Sequence, residues 1–160
     1  MTENSDMPRP PVVSIRAARR QDLAELNAMI TLLAAHHGDA AEMTAEKLER
    51  DLFGALPWIS ALVADGGEGL LGYAILVPLY RAQDGQRGMD LHHLFVRNGH
   101  RGHGIGQHLV ARARDFATAA GCDYLSVSAT TGNSAAHRFY EQMDFQPRPV
   151  TGMRYLQRLA

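Results

Sequence analysis

Residues 91–109 read Leu91-His92-His93-Leu94-Phe95-Val96-Arg97-Asn98-Gly99-His100-Arg101-Gly102-His103-Gly104-Ile105-Gly106-Gln107-His108-Leu109. The stretch opens as an apolar-rich run of strand length: Leu91, Leu94, Phe95 and Val96. It turns through Asn98 to Gly104 and leaves as an amphipathic helix beginning near Ile105. Strand, glycine-rich turn and helix together make an anion site. The first N–H groups of a helix lack internal acceptors, and the helix dipole adds positive potential there. Gly102, Gly104 and Gly106 let backbone approach a ligand without Cβ clashes, and Arg101 and His103 add donors beside them. The plainer alternative is a glycine-rich connection with no ligand, because a glycine pattern alone is weak evidence.

Two familiar phosphate loops do not fit. A P-loop ends in Gly-Lys-Ser/Thr, whereas Gly106 is followed by Gln107-His108. A dinucleotide fingerprint needs a small residue where Leu109 stands and an acid at the end of the next strand. That strand, near Tyr124 to Val127, runs out into Ser128-Ala129-Thr130. What remains is Arg101-x-x-Gly104-x-Gly106.

Working outward, 160 residues suit one domain with a substantial core: a flexible leader, 1–11, and a domain, 12–160. A net charge of −1 supplies no global field toward nucleic acid or membrane. The local cluster Arg97, His100, Arg101, His103 and Arg112 is no more than the phosphates of one ligand require. No apolar run approaches the roughly 18 residues of a membrane helix. The single Cys122 excludes an internal disulfide and points to a reducing, cytoplasmic setting.

Val12 to Arg16 is a short strand candidate. Arg19 to His37 has helical spacing at Leu23, Leu26, Ile30, Leu33 and His37, and Gly38 stops it. His36 and His37 are neighbours about 100° apart on that helix, so they do not pair on a metal; a place on the surface or on a pocket rim suits them better. Thr44 is an N-cap for a helix through Phe53. Trp58 to Ala64 and Leu70 to Pro78 form a hairpin around Asp65-Gly66-Gly67-Glu68-Gly69. Residues 81–88 read as a polar loop and 89–96 as the next strand. A helix from about Gly104 to Ala120 buries Ile105, Leu109, Ala113, Phe116 and Ala120, and Gly121 ends it. Tyr124 to Ser128 is then a strand parallel to 89–96. Asn133 to Met143 is a helix, and closing strands follow from Phe145 and over Gly152 to Gln157. The fold class is α/β: a mixed sheet, antiparallel first and parallel around the glycine loop, with about four helices.

A second motif lies some thirty residues on, Asn133-x-x-Ala136-x-x-Phe139-Tyr140. Asn133 or Ser134 can cap its helix. Taken alone, Tyr140 reads as a half-buried core residue. Together with Arg101-x-x-Gly104-x-Gly106 after Leu94-x-Val96, the pair resembles the GNAT superfamily of acetyl-CoA-dependent N-acetyltransferases. The resemblance covers 12–160 element by element and is most specific over 91–145. Asp51-Leu52-Phe53-Gly54 and Leu94-Phe95-Val96 look like the spermidine/spermine-type branch. Ala136-His137-Arg138-Phe139-Tyr140 looks like the aminoalkylphosphonate-type branch.

The resemblance implies acetyl-CoA as co-substrate and no metal. The amides of Gly102, His103, Gly104, Ile105, Gly106 and Gln107, with Arg101, would hold its pyrophosphate. Leu94, Phe95 and Val96 would lie along its pantetheine arm, where their strand splays from Tyr124 to Val127, and Asn133 and Ala136 would border it. Tyr140 would be the general acid to the leaving thiolate. A main-chain N–H near Phe95 would meet the thioester carbonyl. The implied activity is transfer to a small primary amine by direct attack in a ternary complex, since Cys122 lies away from these residues. The resemblance also brings the expectation of a homodimer.

The sequence departs from the family where many relatives carry acids, at His92 and His93. On a regular strand these point to opposite faces, with Asp90 on the side of His92. An imidazole ordinarily titrates near about 6.5, which suits a base. His92, Asp90, His93 and an ordered water are the candidates, with His92 foremost and one histidine merely packed as the bland alternative. A second departure is Asp144 before Phe145, where relatives place glycine; Asp144 must turn left-handed or end the helix differently. Two rivals use the same features: a protein or peptide N-acetyltransferase, which a wide groove would favour, and a non-catalytic acyl-CoA-binding module, which a plugged acceptor side would favour. Acceptor specificity is expected from the first two helices and from 80–88.

Overall fold

The computed structural model describes residues 12–159; the expected leader lies outside them. The chain divides into two compact units, one ending at Ser128 and one beginning at Ala129.

The first unit holds a five-stranded sheet: β1 (Ser14–Ala17), β2 (Ser60–Asp65), β3 (Leu70–Arg81), β4 (Gln86–Val96) and β5 (Tyr124–Ser126). Spatial order follows chain order. The first three pairings are antiparallel and β4–β5 is parallel, as expected. Its helices are α1 (Leu23–His36), α2 (Ala45–Phe53) and α3 (Ile105–Ala119).

Two apolar layers enclose the sheet, because alternate strand residues face opposite ways. One joins Ala61, Val63, Tyr73, Ile75 and Phe95 to Leu26, Met29 and Ile30 of α1 and Leu48 of α2. The other uses the intervening residues Leu62, Ala64, Ala74 and Leu76, on the side where α3 buries Ile105, Leu109, Val110, Ala113 and Ala117. Val110 and Ala117 thus replace the expected Phe116, which is half-buried, and Ala120, which is exposed.

Local chemistry explains most boundary shifts. The helix expected from Arg19 begins as a 3-10 turn, Arg20–Asp22. There Asp22 is buried, accepts the Arg19 N–H at 2.7 Å and takes the Arg16 guanidinium at 2.7 and 2.9 Å. Thr44 caps α2 as expected, its hydroxyl accepting from the Lys47 N–H at 3.1 Å. The strand expected from Trp58 starts at Ser60, because the N–H groups of Trp58 and Ile59 both donate to the Asp51 carbonyl. Residues 81–88 are not a loop. β3 and β4 continue through them, pairing out to Arg81–Gln86, and an Arg81–Asp84 ion pair of 2.9 Å and a left-handed Gly85 close the turn.

The second unit contains α4 (Ser134–Gln142). Asn133 caps it by accepting from the Ala136 N–H at 3.1 Å. Asp144 takes the left-handed alternative, φ 67°, and the Phe145 N–H reaches back to the Tyr140 carbonyl. The closing strands expected from Phe145 and over 152–157 do not form among the described residues. Pro147 and Pro149 remove two amide donors from the first, and Gly152 turns the chain at φ 102° before the second.

Candidate functional site

β4 carries one residue too many for its partner. Ile75 pairs with His93 and Leu76 with Leu91, leaving His92 without a cross-strand partner. Such a bulge shifts the alternation of everything beyond it. Leu91, opposite Leu76, belongs to the α3 layer, whereas His93 and Phe95 face the layer of α1 and α2 with Tyr73 and Ile75. The expectation that His92 and His93 point to opposite faces is therefore corrected. Their rings stack at 4.8 Å between centroids with 5° between planes.

Asp90 does sit beside His92, Oδ2 to Nδ1 at 3.9 Å. Its other oxygen accepts from the Ser126 hydroxyl at 2.9 Å. Nδ1 of His93 lies 3.2 Å from the hydroxyl of Tyr73. A continuous polar line thus runs Ser126, Asp90, His92, His93, Tyr73. His92 and Tyr73 differ in solvation along it: the His92 side chain is 57% exposed and Tyr73 is 0% exposed. Burial, then the nearby His92 and His37, push the His93 pKa down to about 4, so His93 is neutral at physiological pH.

His93 also forms part of the wall of a pocket of about 390 Å³. Ile30, Leu33, Ala34 and Met43 give it an apolar lining; His37, Asp39, Glu42 and Lys47 add polar groups from α1, the 39–43 segment and α2. α1, the cap residue His37 and α2 contribute to this wall, and residues 80–88 line no part of it.

A second feature begins where β5 leaves β4. Pairing stops at Asp90–Ser126, so Leu91 to Val96, with the predicted Leu94, Phe95 and Val96, have no strand beside them on that edge among the described residues. This open edge leads into the glycine loop. Gly99, Gly102 and Gly104 have φ of 88°, 79° and 83°, with open space on their Cβ sides. Gly104 stands at the start of α3 and offers no side-chain cap. The N–H groups of Ile105, Gly106 and Gln107 meet no acceptor among the described residues; His108 is the first to bond back, to the Gly104 carbonyl. Arg101 is anchored by its Nε on the Val96 carbonyl at 2.9 Å, with its guanidinium 5.9 Å from the centre of the Phe95 ring. His103 is exposed at the turn. Free amides, a helix N-terminus and room for a ligand fit a diphosphate.

In the second unit, Tyr140 packs edge-on against Phe139 and Phe145, at 5.3 and 5.6 Å between centroids. Burial pushes its hydroxyl pKa up, so it holds its proton at neutral pH. Ala136 is half-buried on the same helix, and the Asn133 oxygen is engaged in capping.

Sequence reasoning missed Tyr73, Ser126 and the polar pocket residues Asp39, Glu42 and Lys47. The β3 partner of a β4 histidine cannot be found without the register. Tyr73 stands in an apolar strand and signals only core.

The profile of the acetyltransferase (GNAT) family matches residues 25–145. The chain is 27% identical over 144 residues to the thialysine N-epsilon-acetyltransferase of Bos taurus, covering 84% of each. An aminoglycoside acetyltransferase from an uncultured soil metagenomic sample, solved with sisomicin, superposes with a TM-score of 0.77 at 19% identity, over 91% of this chain and 97% of that one. The ribosomal-protein-alanine N-acetyltransferase of Brucella melitensis biovar Abortus gives 0.73 at 24% identity, over 92% and 99%.

Proposed function

Since the chain belongs to the acetyltransferase (GNAT) family and is an acyltransferase, we propose that it transfers acetyl from acetyl-CoA to the primary amine of a small molecule, by direct attack in a ternary complex. One observation carries the reading: the open edge of β4 leads through the glycine loop to the first amides of α3, which meet no acceptor among the described residues. Acetyl-CoA supplies the activated acetyl thioester. Gly102, His103 and Gly104 with Ile105, Gly106, Gln107 and Arg101 would hold its diphosphate, and Leu94, Phe95 and Val96 its extended arm. Asn133 and Ala136 are assigned to the same arm. The pocket's volume of about 390 Å³ and its largely apolar lining support a small acceptor.

We assign proton removal from the acceptor ammonium to His92, with the Asp90 carboxylate 3.9 Å from its Nδ1. Ser126 holds Asp90 in place through its hydroxyl. Tyr140 keeps a proton on its hydroxyl and is assigned to give it to the departing sulfur.

The test is a panel of small amines and lysine peptides offered with acetyl-CoA, read by release of CoA thiol. Saturable turnover of one or more small amines is expected. Turnover of peptides alone, or tight CoA binding with no turnover at all, would refute the assignment. For the base, kcat/KM should rise with pH through an ionisation that His92→Ala removes. Identical profiles in both proteins would take the role from His92.

A further inference from the structure

Building on the acetyl-transfer reading, we infer that Tyr73 donates its hydroxyl hydrogen to Nδ1 of His93 and fixes His93 as a neutral imidazole with its hydrogen on Nε2. His93 is then a hydrogen-bond donor of the acceptor pocket and not its base. Tyr73 is a positioning residue.

The argument starts from Tyr73. It is fully buried in the layer under α1 and α2, tilted against Phe95 at 5.7 Å between centroids. A buried O–H needs an acceptor. Nδ1 of His93, at 3.2 Å, is the one atom that hydrogen-bonds to this hydroxyl among the described residues. The opposite polarity, Nδ1–H to the phenol oxygen, would strand the hydroxyl hydrogen in the core. Burial also keeps the phenol protonated, so the hydrogen is there to be given. A neutral imidazole has one donor and one acceptor nitrogen; once Nδ1 accepts, Nε2 carries the hydrogen.

The surroundings agree. His93 meets the stacked ring of His92 from its own strand and the charge of His37 at the C-terminal cap of α1. Asp90 lies against His92, and Asp39, Glu42 and Lys47 stand on the pocket wall. With all of these present the imidazole still resists protonation, with its pKa near about 4. Such a group is a poor proton acceptor for an ammonium, because a general base works best when its pKa lies near the operating pH. Its N–H is a different tool, a neutral donor that costs no proton movement. It favours an acceptor molecule that brings an oxygen lone pair to this wall and disfavours an ammonium there.

Two measurements test the inference. Imidazole ¹⁵N NMR at neutral pH should find His93 of the wild type in the Nε2–H tautomer, and Tyr73→Phe should let it mix with the Nδ1–H form. A wild-type Nδ1–H tautomer or imidazolium overturns the inference, as does an unchanged spectrum in Tyr73→Phe. This measurement needs no acceptor, so it stands or falls apart from the acetyl-transfer reading, which wild-type turnover decides. The second compares His93→Gln, which keeps an N–H but has no basic nitrogen, with His93→Ala, both checked for folding by circular dichroism. His93→Gln should stay within about 10-fold of wild-type kcat/KM, while His93→Ala falls by roughly 10²-fold or more. Equal effects in the two variants, large or small, overturn the donor role.

Discussion

Gly104→Glu separates a ligand-binding loop from a mere connection. Gly104 sits at φ 83° and a Cβ there would meet no atom within 4 Å, so the substitution meets no steric wall. Its structural cost is the left-handed backbone, about 1–2 kcal/mol for an L-residue. A domain with roughly 5–15 kcal/mol of stability survives that, with Tm lowered by about 2–8 °C. The binding cost is electrostatic. A carboxylate roughly 5 Å from a phosphate, at an effective dielectric constant of about 20, is repelled by about 3 kcal/mol. Allowing for a mobile side chain, Kd for CoA should rise roughly 30- to 150-fold, and less at high salt. Gly104→Ala carries the same backbone cost without the charge and is the control. Calorimetric titration with CoA, alongside a thermal melt, reads both quantities. A folded Gly104→Glu protein that binds CoA as tightly as Gly104→Ala would refute the loop assignment.

Tyr140→Phe keeps the ring between Phe139 and Phe145 and removes only the hydroxyl; CoA affinity should hardly change while kcat falls roughly 10²- to 10⁴-fold. Single-turnover measurement is the decisive assay, because slow product release would hide the loss, and an unchanged rate would reduce Tyr140 to a packing residue. Asp22→Asn should cost about 2–4 kcal/mol at pH 7, measured by urea unfolding, since Arg16 loses a buried charged partner. The same pair sets a pH dependence. The Arg16 hydrogen bond holds the Asp22 carboxyl below its ordinary 3.8, so its stabilisation is complete above that value and is lost as pH falls below it through the folded pKa. The gap between wild type and Asp22→Asn should therefore shrink under strongly acid conditions. A constant gap from pH 7 down to about pH 2 would exclude Asp22 as its source.

Periodicity and turn chemistry made most of the fold legible. α1 and α2 follow from Leu26, Ile30 and Leu33 at helical spacing and from the Thr44 cap. The first hairpin follows from its glycines, and the parallel pair from strand–loop–helix–strand order. Failures fell where tertiary partners override local preference. Gln83-Asp84-Gly85 looks like loop, yet it closes a ladder that runs from Gly72–Val96 to Arg81–Gln86, because cross-strand pairing extends polar segments once the register is set. The strands expected from Phe145 and over Gly152 to Gln157 fail where Pro147 and Pro149 remove amide donors that a ladder would need.

The candidate site was legible in its parts and not in its arrangement. The glycine loop is a local feature, written in Gly102, Gly104 and the helix after them, and it stands where that reading put it. The chemistry of β4 is not local. Period-two alternation places His92 and His93 on opposite faces, and it fails because one residue is inserted between the pairs Leu76–Leu91 and Ile75–His93. Nothing in Asp90-Leu91-His92-His93-Leu94 announces a bulge; the insertion exists only relative to β3. Its consequences are specific. It sends Leu91 to the α3 layer and Phe95 to the opposite one, though both are odd-numbered residues of one strand. It lays the His92 ring on that of His93, and it brings Nδ1 of His93 to the Tyr73 hydroxyl. Two adjacent histidines thereby differ in solvation, one exposed beside a carboxylate and one half-buried beside a phenol. Different environments for identical side chains are how a site separates a proton acceptor from a neutral donor. The division of labour proposed for His92 and His93 would therefore follow from the register of β3 against β4, and closing the bulge by deleting His92 should remove both proposed roles at once.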